Sequence, residues 1–110
     1  MGPLVKLVVF VPEGAAVAEV LRALGEAGAG ATGRYSWCSY SVRGVGRFLP
    51  GAGTHPHIGT PGVMETLDEQ RIEVTCERGR ARAIAAAVRS VHPYEEVVID
   101  LYPLLDEDEL

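Results

Sequence analysis

Two stretches carry apolar side chains at helical spacing: Val17, Val20, Leu21 and Leu24 in the first, and Ala81, Ile84, Val88 and Val91 in the second. Each lies between β-branched runs of strand length, and this twice-repeated order restricts the chain more than any other feature does. Residues 4–11 are apolar on both alternating faces except at Lys6, the pattern of a central strand, and Pro12 ends the run. The first helix, over residues 14–27, turns Glu19, Arg22 and Glu26 outward and is stopped by Gly28, Gly30 and Gly33. Residues 35–43 alternate Cys38, Tyr40 and Val42 against Trp37, Ser39, Ser41 and Arg43, a half-buried strand. Residues 71–77 predict a third strand with Ile72, Val74 and Cys76 inward. The second helix spans residues 80–91 with Arg82 and Arg89 in solvent, and Pro93 ends it by pushing His92 out of the α region. Residues 97–102 form a last strand, with Val97, Ile99 and Leu101 on one face and Val98, Asp100 and Tyr102 on the other, closed by Pro103.

Strand, helix, strand, strand, helix, strand is an α+β order. It predicts a ferredoxin-like βαββαβ sandwich with both helices on one face of a mostly antiparallel sheet. The opposite face then meets solvent or a partner, and Val8, Phe10 and Val98 on it favour self-association. The 110 residues fit a single domain over 1–105, with residues 106–110 as an acidic, solvated tail. Only 6% of the chain is aromatic, so the core falls to Val, Leu, Ile and Ala and is thin, a further reason to expect an oligomer.

The net charge of −5 argues against sequence-independent nucleic-acid binding, which draws its affinity from Lys and Arg on phosphates. The body is nearly neutral, because Asp106, Glu107, Asp108 and Glu109 sit in the tail. The run 4–11 is too short for a membrane span, and no basic leader precedes it. Cys38 and Cys76 match no C-x-x-C spacing and read as buried free thiols in a reducing, cytoplasmic setting.

Residues 44–68, rich in Gly and Pro and without a period, read as one long loop and the first place to seek a ligand or partner. Within it, Gly44-Val45-Gly46 with Pro50, Gly51 and Gly53 permits close backbone approach, but no phosphate-loop motif is present. His55-Pro56-His57 places two imidazoles at i and i+2, a spacing that fits a shared divalent metal if His92 or Glu65 completes the site; two solvent-facing loop histidines are the plainer alternative. His92-Pro93-Tyr94-Glu95-Glu96 concentrates ionisable groups where a helix gives way to a strand. Adjacent carboxylates on a strand point to opposite faces, so Glu95 and Glu96 cannot act as a paired acid and base. A structural junction, with His92 at the helix end, Tyr94 packed and one Glu on an Arg, is the alternative. Arg78, Arg80 and Arg82 open the second helix, where they oppose its dipole and read as a solvated face.

Together these segments carry a resemblance. The series Tyr35-x-x-Cys38-Ser39-Tyr40, Gly44-x-Gly46-x-Phe48-x-Pro50-x-x-Gly53-x-x-Pro56-x-Ile58-Gly59, Arg71-x-Glu73, His92-Pro93-Tyr94-Glu95-Glu96 and Asp100-x-Tyr102-Pro103-Leu104 resembles the inserted middle domain of NGG-interacting-factor-three-like proteins, often labelled type-two GTP cyclohydrolase homologues. The resemblance runs from about Lys6 to Leu104 and implies a domain like the trimeric protein PII and the divalent-cation-tolerance protein CutA, here as a stand-alone chain. That family's dinuclear metal site lies in flanking lobes absent from this sequence. His55 and His57 depart from the family pattern, as does Val97 where a proline often follows the Glu pair, which weighs against a histidine metal site. The resemblance implies that Tyr35, Cys38, Gly46, Phe48, Pro50, His92, Pro93, Tyr94 and Glu95 line one cleft, between subunits, where the long loop meets the last strand.

The leading expectation is a non-enzymatic, cytoplasmic homotrimer binding a small ligand or ion in such clefts. The alternatives are a divalent-metal-binding protein using His55, His57 or His92 with Glu95, and a hydrolase or cyclohydrolase centred on His92 and Glu95.

Overall fold

The computed structural model describes residues 3–110. β1 runs over Leu4–Pro12, α1 over Ala15–Glu26, β2 over Tyr40–Phe48, β3 over Glu65–Glu77, α2 over Ala81–Val91 and β4 over Ile99–Pro103. One 3₁₀ turn, Arg78–Arg80, leads into α2, and another, Glu107–Glu109, is capped by the Asp106 carboxylate and lies in the exposed acidic tail. The sheet order is β2-β3-β1-β4 with every pairing antiparallel, so β1 is central, as its two apolar faces predict. Among the described residues, no helix is long and apolar enough to cross a membrane.

Alternation decides what each face does. Val5, Leu7, Val9 and Val11 of β1 share the helix side with Ile72, Val74 and Cys76 of β3, and the core closes when Val20 and Leu24 of α1 and Ile84 and Val88 of α2 pack on them. Each such side chain contributes about 1.5–3 kcal/mol on burial. The other face carries Lys6, Val8 and Phe10 beside Glu69, Arg71, Glu73, Asp100 and Tyr102, and no helix covers it.

The loop between β2 and β3 is shorter than residues 44–68. β2 continues through Gly44-Val45-Gly46 to Phe48 and β3 begins at Glu65, so only residues 49–64 are irregular. The cause is cross-strand pairing: Val45 sits opposite Asp68 and Phe48 opposite Glu65, beyond the end of β1. The helix core stops short of this two-stranded arm, so no in/out alternation marks it in the sequence. At its other end β2 starts at Tyr40, five residues later than expected.

Residues 35–39 instead wrap past the end of α1. Cys38 N–H donates to Gly30 O at 3.0 Å, and Gly30 N–H donates to Thr75 O at 2.8 Å. Gly30 has φ 79, and a side chain there would strike the Cys38 backbone. Cys38 is therefore exposed, against the expectation of two buried thiols; Cys76 is buried, its thiol pushed up by that burial against the opposing pull of Arg80, and both are free. Trp37, at φ 61, lies over Gly25 of α1 instead of projecting from a strand. Arg78, Arg80 and Arg82 are exposed, as a solvated face requires, and Arg80 also reaches across: its Nη2 donates to Ala27 O at 3.2 Å, at the C-terminal end of α1, where the helix dipole favours positive charge.

Candidate functional site

Pro93 excludes His92 from the helical region, and His92 takes φ −74, ψ 135 as α2 ends. That turn sends its ring back to the sheet. His92 Nε2 lies 2.8 Å from Phe10 O, and Nδ1 accepts from Tyr94 N–H at 3.1 Å. An Nδ1 that accepts from an amide carries no proton, so the proton sits on Nε2 and is donated to the Phe10 carbonyl. Burial holds the imidazole below its ordinary value of 6.5, outweighing the Phe10 bond and the Glu69 charge, which act the other way.

The next residue but one crosses to the open face. The Tyr94 ring tilts against His92 at 4.7 Å between centroids, and its hydroxyl donates to Glu69 Oε2 at 2.5 Å. Burial first, then the Glu69 carboxylate, push that hydroxyl well above its ordinary value, so it stays a donor. Gly46 lies next to Glu69 on the neighbouring strand, where a Cβ would overlap the carboxylate. Glycine at this position is a packing requirement.

Residues 49–64 form a compact loop that closes on itself through Gly62 N–H to Pro50 O at 2.8 Å, with Thr54 Oγ1 donating to Gly51 O at 2.7 Å. Its inner edge is tied to the segment before β4, where Glu95 accepts the His55 N–H with both oxygens at 2.9 and 3.1 Å. Between this loop, the open end of β1 and β3, and residues 94–98 lies a cleft of about 480 Å³. Phe10, Phe48, Pro50, Ile58 and Val98 give it apolar walls, and Glu69, Glu95, Glu96, His57 and Arg47 give it charge and polarity.

Of the residues singled out in the sequence, Phe48, Pro50, Tyr94 and Glu95 line this cleft, with Gly46 and His92 directly behind Glu69 and Tyr94. Tyr35 and Cys38 do not join them. Tyr35 pairs with Thr32 in an exposed turn, and Cys38 lines a smaller cavity of about 350 Å³ at the other end of the sheet, near Lys6, Tyr40 and Glu73. The expected single cleft is two separate places, because β2 begins after Cys38. Glu95 meets an amide instead of an Arg. Among the described residues no three His, Cys, Asp or Glu side chains converge on a metal-ligating arrangement, and the ring nitrogens of His92 are both engaged. Sequence reasoning passed over Phe10, Glu69 and Arg47 as site residues, and weighed Glu96 only as a lone acid or base. Extending the alternation of Arg71 and Glu73 back by one step would have found Glu69.

No family model matches the chain. Over 106 residues, 96% of its length, it is 46% identical to a protein of Halalkalibacterium halodurans named GTP cyclohydrolase 1 type 2 homolog. A protein of Mycobacterium tuberculosis with the same name is 47% identical over 101 residues, 91% of the chain. The chain spans 28% and 26% of those two relatives. Among solved structures, a Bacillus cereus protein related to NIF3 superposes with a TM-score of 0.83 at 41% identity, covering 96% of this chain and 26% of that one. The periplasmic divalent cation tolerance protein CutA from Archaeoglobus fulgidus superposes with a TM-score of 0.68 at 14% identity, covering 94% of this chain and 85% of that one, a likeness of fold alone. The chain is thus a CutA-like α+β domain, homologous along nearly its whole length to about a quarter of the NIF3-related proteins named GTP cyclohydrolase 1 type 2 homologs.

Proposed function

We propose that this domain is a self-associating, non-enzymatic module, trimeric through its open sheet face, that binds a small ligand or ion in the cleft beside Tyr94 and Glu95. The observation that carries the reading is that the cleft opens on the one sheet face that no helix covers. That face exposes Tyr40 at 67%, Val42 at 46% and Tyr102 at 45% of their surface, apolar side chains that a partner would cover. Binding is favoured over catalysis because the proton-carrying groups at the cleft are committed: His92 with both nitrogens, Tyr94 with its hydroxyl on Glu69. A divalent-cation role, as in the name of the Archaeoglobus fulgidus neighbour, needs a ligand set that the described residues do not assemble. Two free cysteines support a reducing, cytoplasmic setting.

Sedimentation equilibrium tests the assembly. The expected mass is three times the 11.7 kDa of one chain. A stable monomer at micromolar concentration would overturn the reading.

A further inference from the structure

The lining of the main cleft narrows its ligand further, given the reading above that the cleft is a binding site. Its charged side chains are Glu69, Glu95 and Glu96 against a single Arg47. Tyr94 holds Glu69 in place and the His55 amide holds Glu95, while the Glu96 side chain makes no hydrogen bond among the described residues. An anionic ligand would meet three carboxylates. A purely apolar one would strip water from them without replacing its hydrogen bonds. Among the described residues a bare metal ion finds no converging ligand set, and it gains nothing from the aromatic walls. An ammonium or guanidinium group on a hydrocarbon stem satisfies both halves of the lining: the cation meets carboxylates in charge-assisted hydrogen bonds, and the stem and the cation's flank lie against Phe10, Phe48 and Tyr94. The volume of about 480 Å³ falls within the range of small-molecule sites.

We propose that the cleft between the 49–64 loop and the open sheet face binds a small organic cation, an alkyl ammonium or guanidinium compound, with Glu69, Glu95 and Glu96 as its counter-charges and Phe10 and Phe48 as its apolar seat. Glu69 and Glu95 do double duty here, since the bonds that hold the cleft together also orient the carboxylates that recognise the ligand.

The test is calorimetric titration of the full chain with three probes of one stem length and different charge: hexylammonium, 1-hexanol and hexanoate. Hexylammonium binding tightest and hexanoate weakest is the expected order. Glu96→Gln should weaken hexylammonium about tenfold while leaving hexanol unchanged, the loss of one hydrogen bond to a charged group, and Glu69→Gln should weaken hexylammonium at least as much. Glu96→Gln disturbs no internal bond, so its result does not depend on the variant's stability. Hexanoate binding as tightly as hexylammonium, no hexylammonium binding at millimolar concentration, or hexylammonium affinity indifferent to both substitutions would each overturn the proposal. Sedimentation of the same samples separates the two readings: a monomer that keeps the charge order loses only the trimer, and a trimer without charge discrimination loses only the cation.

Discussion

Leu7 and Val8 are neighbours on the same central strand, and neither exposes any surface, yet they are buried by different means. Leu7 points into the core beneath α1 and α2 with Val74 and Leu101 opposite it. Val8 points to the open face, outside that core, with Lys6, Phe10, Glu73 and Asp100 as its nearest same-face neighbours. Around it the Lys6–Glu73 and Arg71–Glu73 pairs, at 3.9 and 3.0 Å, hold long side chains whose stems can shield apolar surface. One face is sealed by helices, and the other by half-exposed charged residues that a partner can rearrange. The helix-packed core belongs to the first face, and the cleft and the surface proposed for association belong to the second.

The sharpest way to break this contrast is to hollow each face in turn. Leu7→Ala should cost about 2–5 kcal/mol in urea unfolding, by the same amount at every protein concentration. Val8→Ala should cost less in dilute solution, with a penalty that grows with concentration as the open face is used. Equal, concentration-independent losses would mean that both faces are core.

Next in size is Gly46→Ala. The added methyl meets the Glu69 carboxylate that Tyr94 holds, and displacing it should cost about 1–3 kcal/mol. In a Glu69→Ala background that cost should vanish, as a double-mutant cycle can measure. A cost that persists would place the strain in the strand backbone.

His92 joins the two faces, and its titration sharpens the comparison. Its folded value lies below its ordinary 6.5, so the unfolded chain binds the proton more readily. Its contribution to stability is complete above about pH 6.5 and is lost as pH falls from there toward the lower folded value. Protonation would also end the acceptance from Tyr94 N–H, because Nδ1 then carries a proton of its own. Urea midpoints at pH 7.5 and 5.5 should separate more for the native chain than for His92→Gln. An equal separation in both would assign the pH dependence to the surface carboxylates.

The smallest effect is expected on the loop. Glu95→Gln removes the charge from the acceptor for His55 N–H and should cost about 0.5–1.5 kcal/mol locally, seen as faster hydrogen exchange at that amide and little change in the global midpoint. Unchanged exchange would show that the Pro50–Gly62 closure holds the loop by itself.

Most of the helix-covered face was legible in the sequence. Its residues obey periods of 2 and 3.6 because one side of every element is dry, so Val5, Leu7, Val20, Leu24, Ile72, Ile84 and Val88 identify themselves. The break at His92-Pro93 was equally plain, since the proline ring clashes with a helical predecessor. The arm at residues 44–48 and 65–68 was hidden, because its pairing comes from the opposite strand and neither of its faces is dry enough to impose a pattern. The separation of Cys38 from Tyr94 was hidden for the same reason.

By itself, then, the sequence determined the element order, the central place of β1 and the face that the helices cover, all of which follow from local periodicity and backbone sterics. Only the tertiary structure decided that Phe10, Phe48, Glu69, Tyr94 and Glu95, scattered over four parts of the chain, meet around one cleft. Register between strands and the closure of a loop are long-range contacts, and no neighbouring residue in the sequence carries their signature.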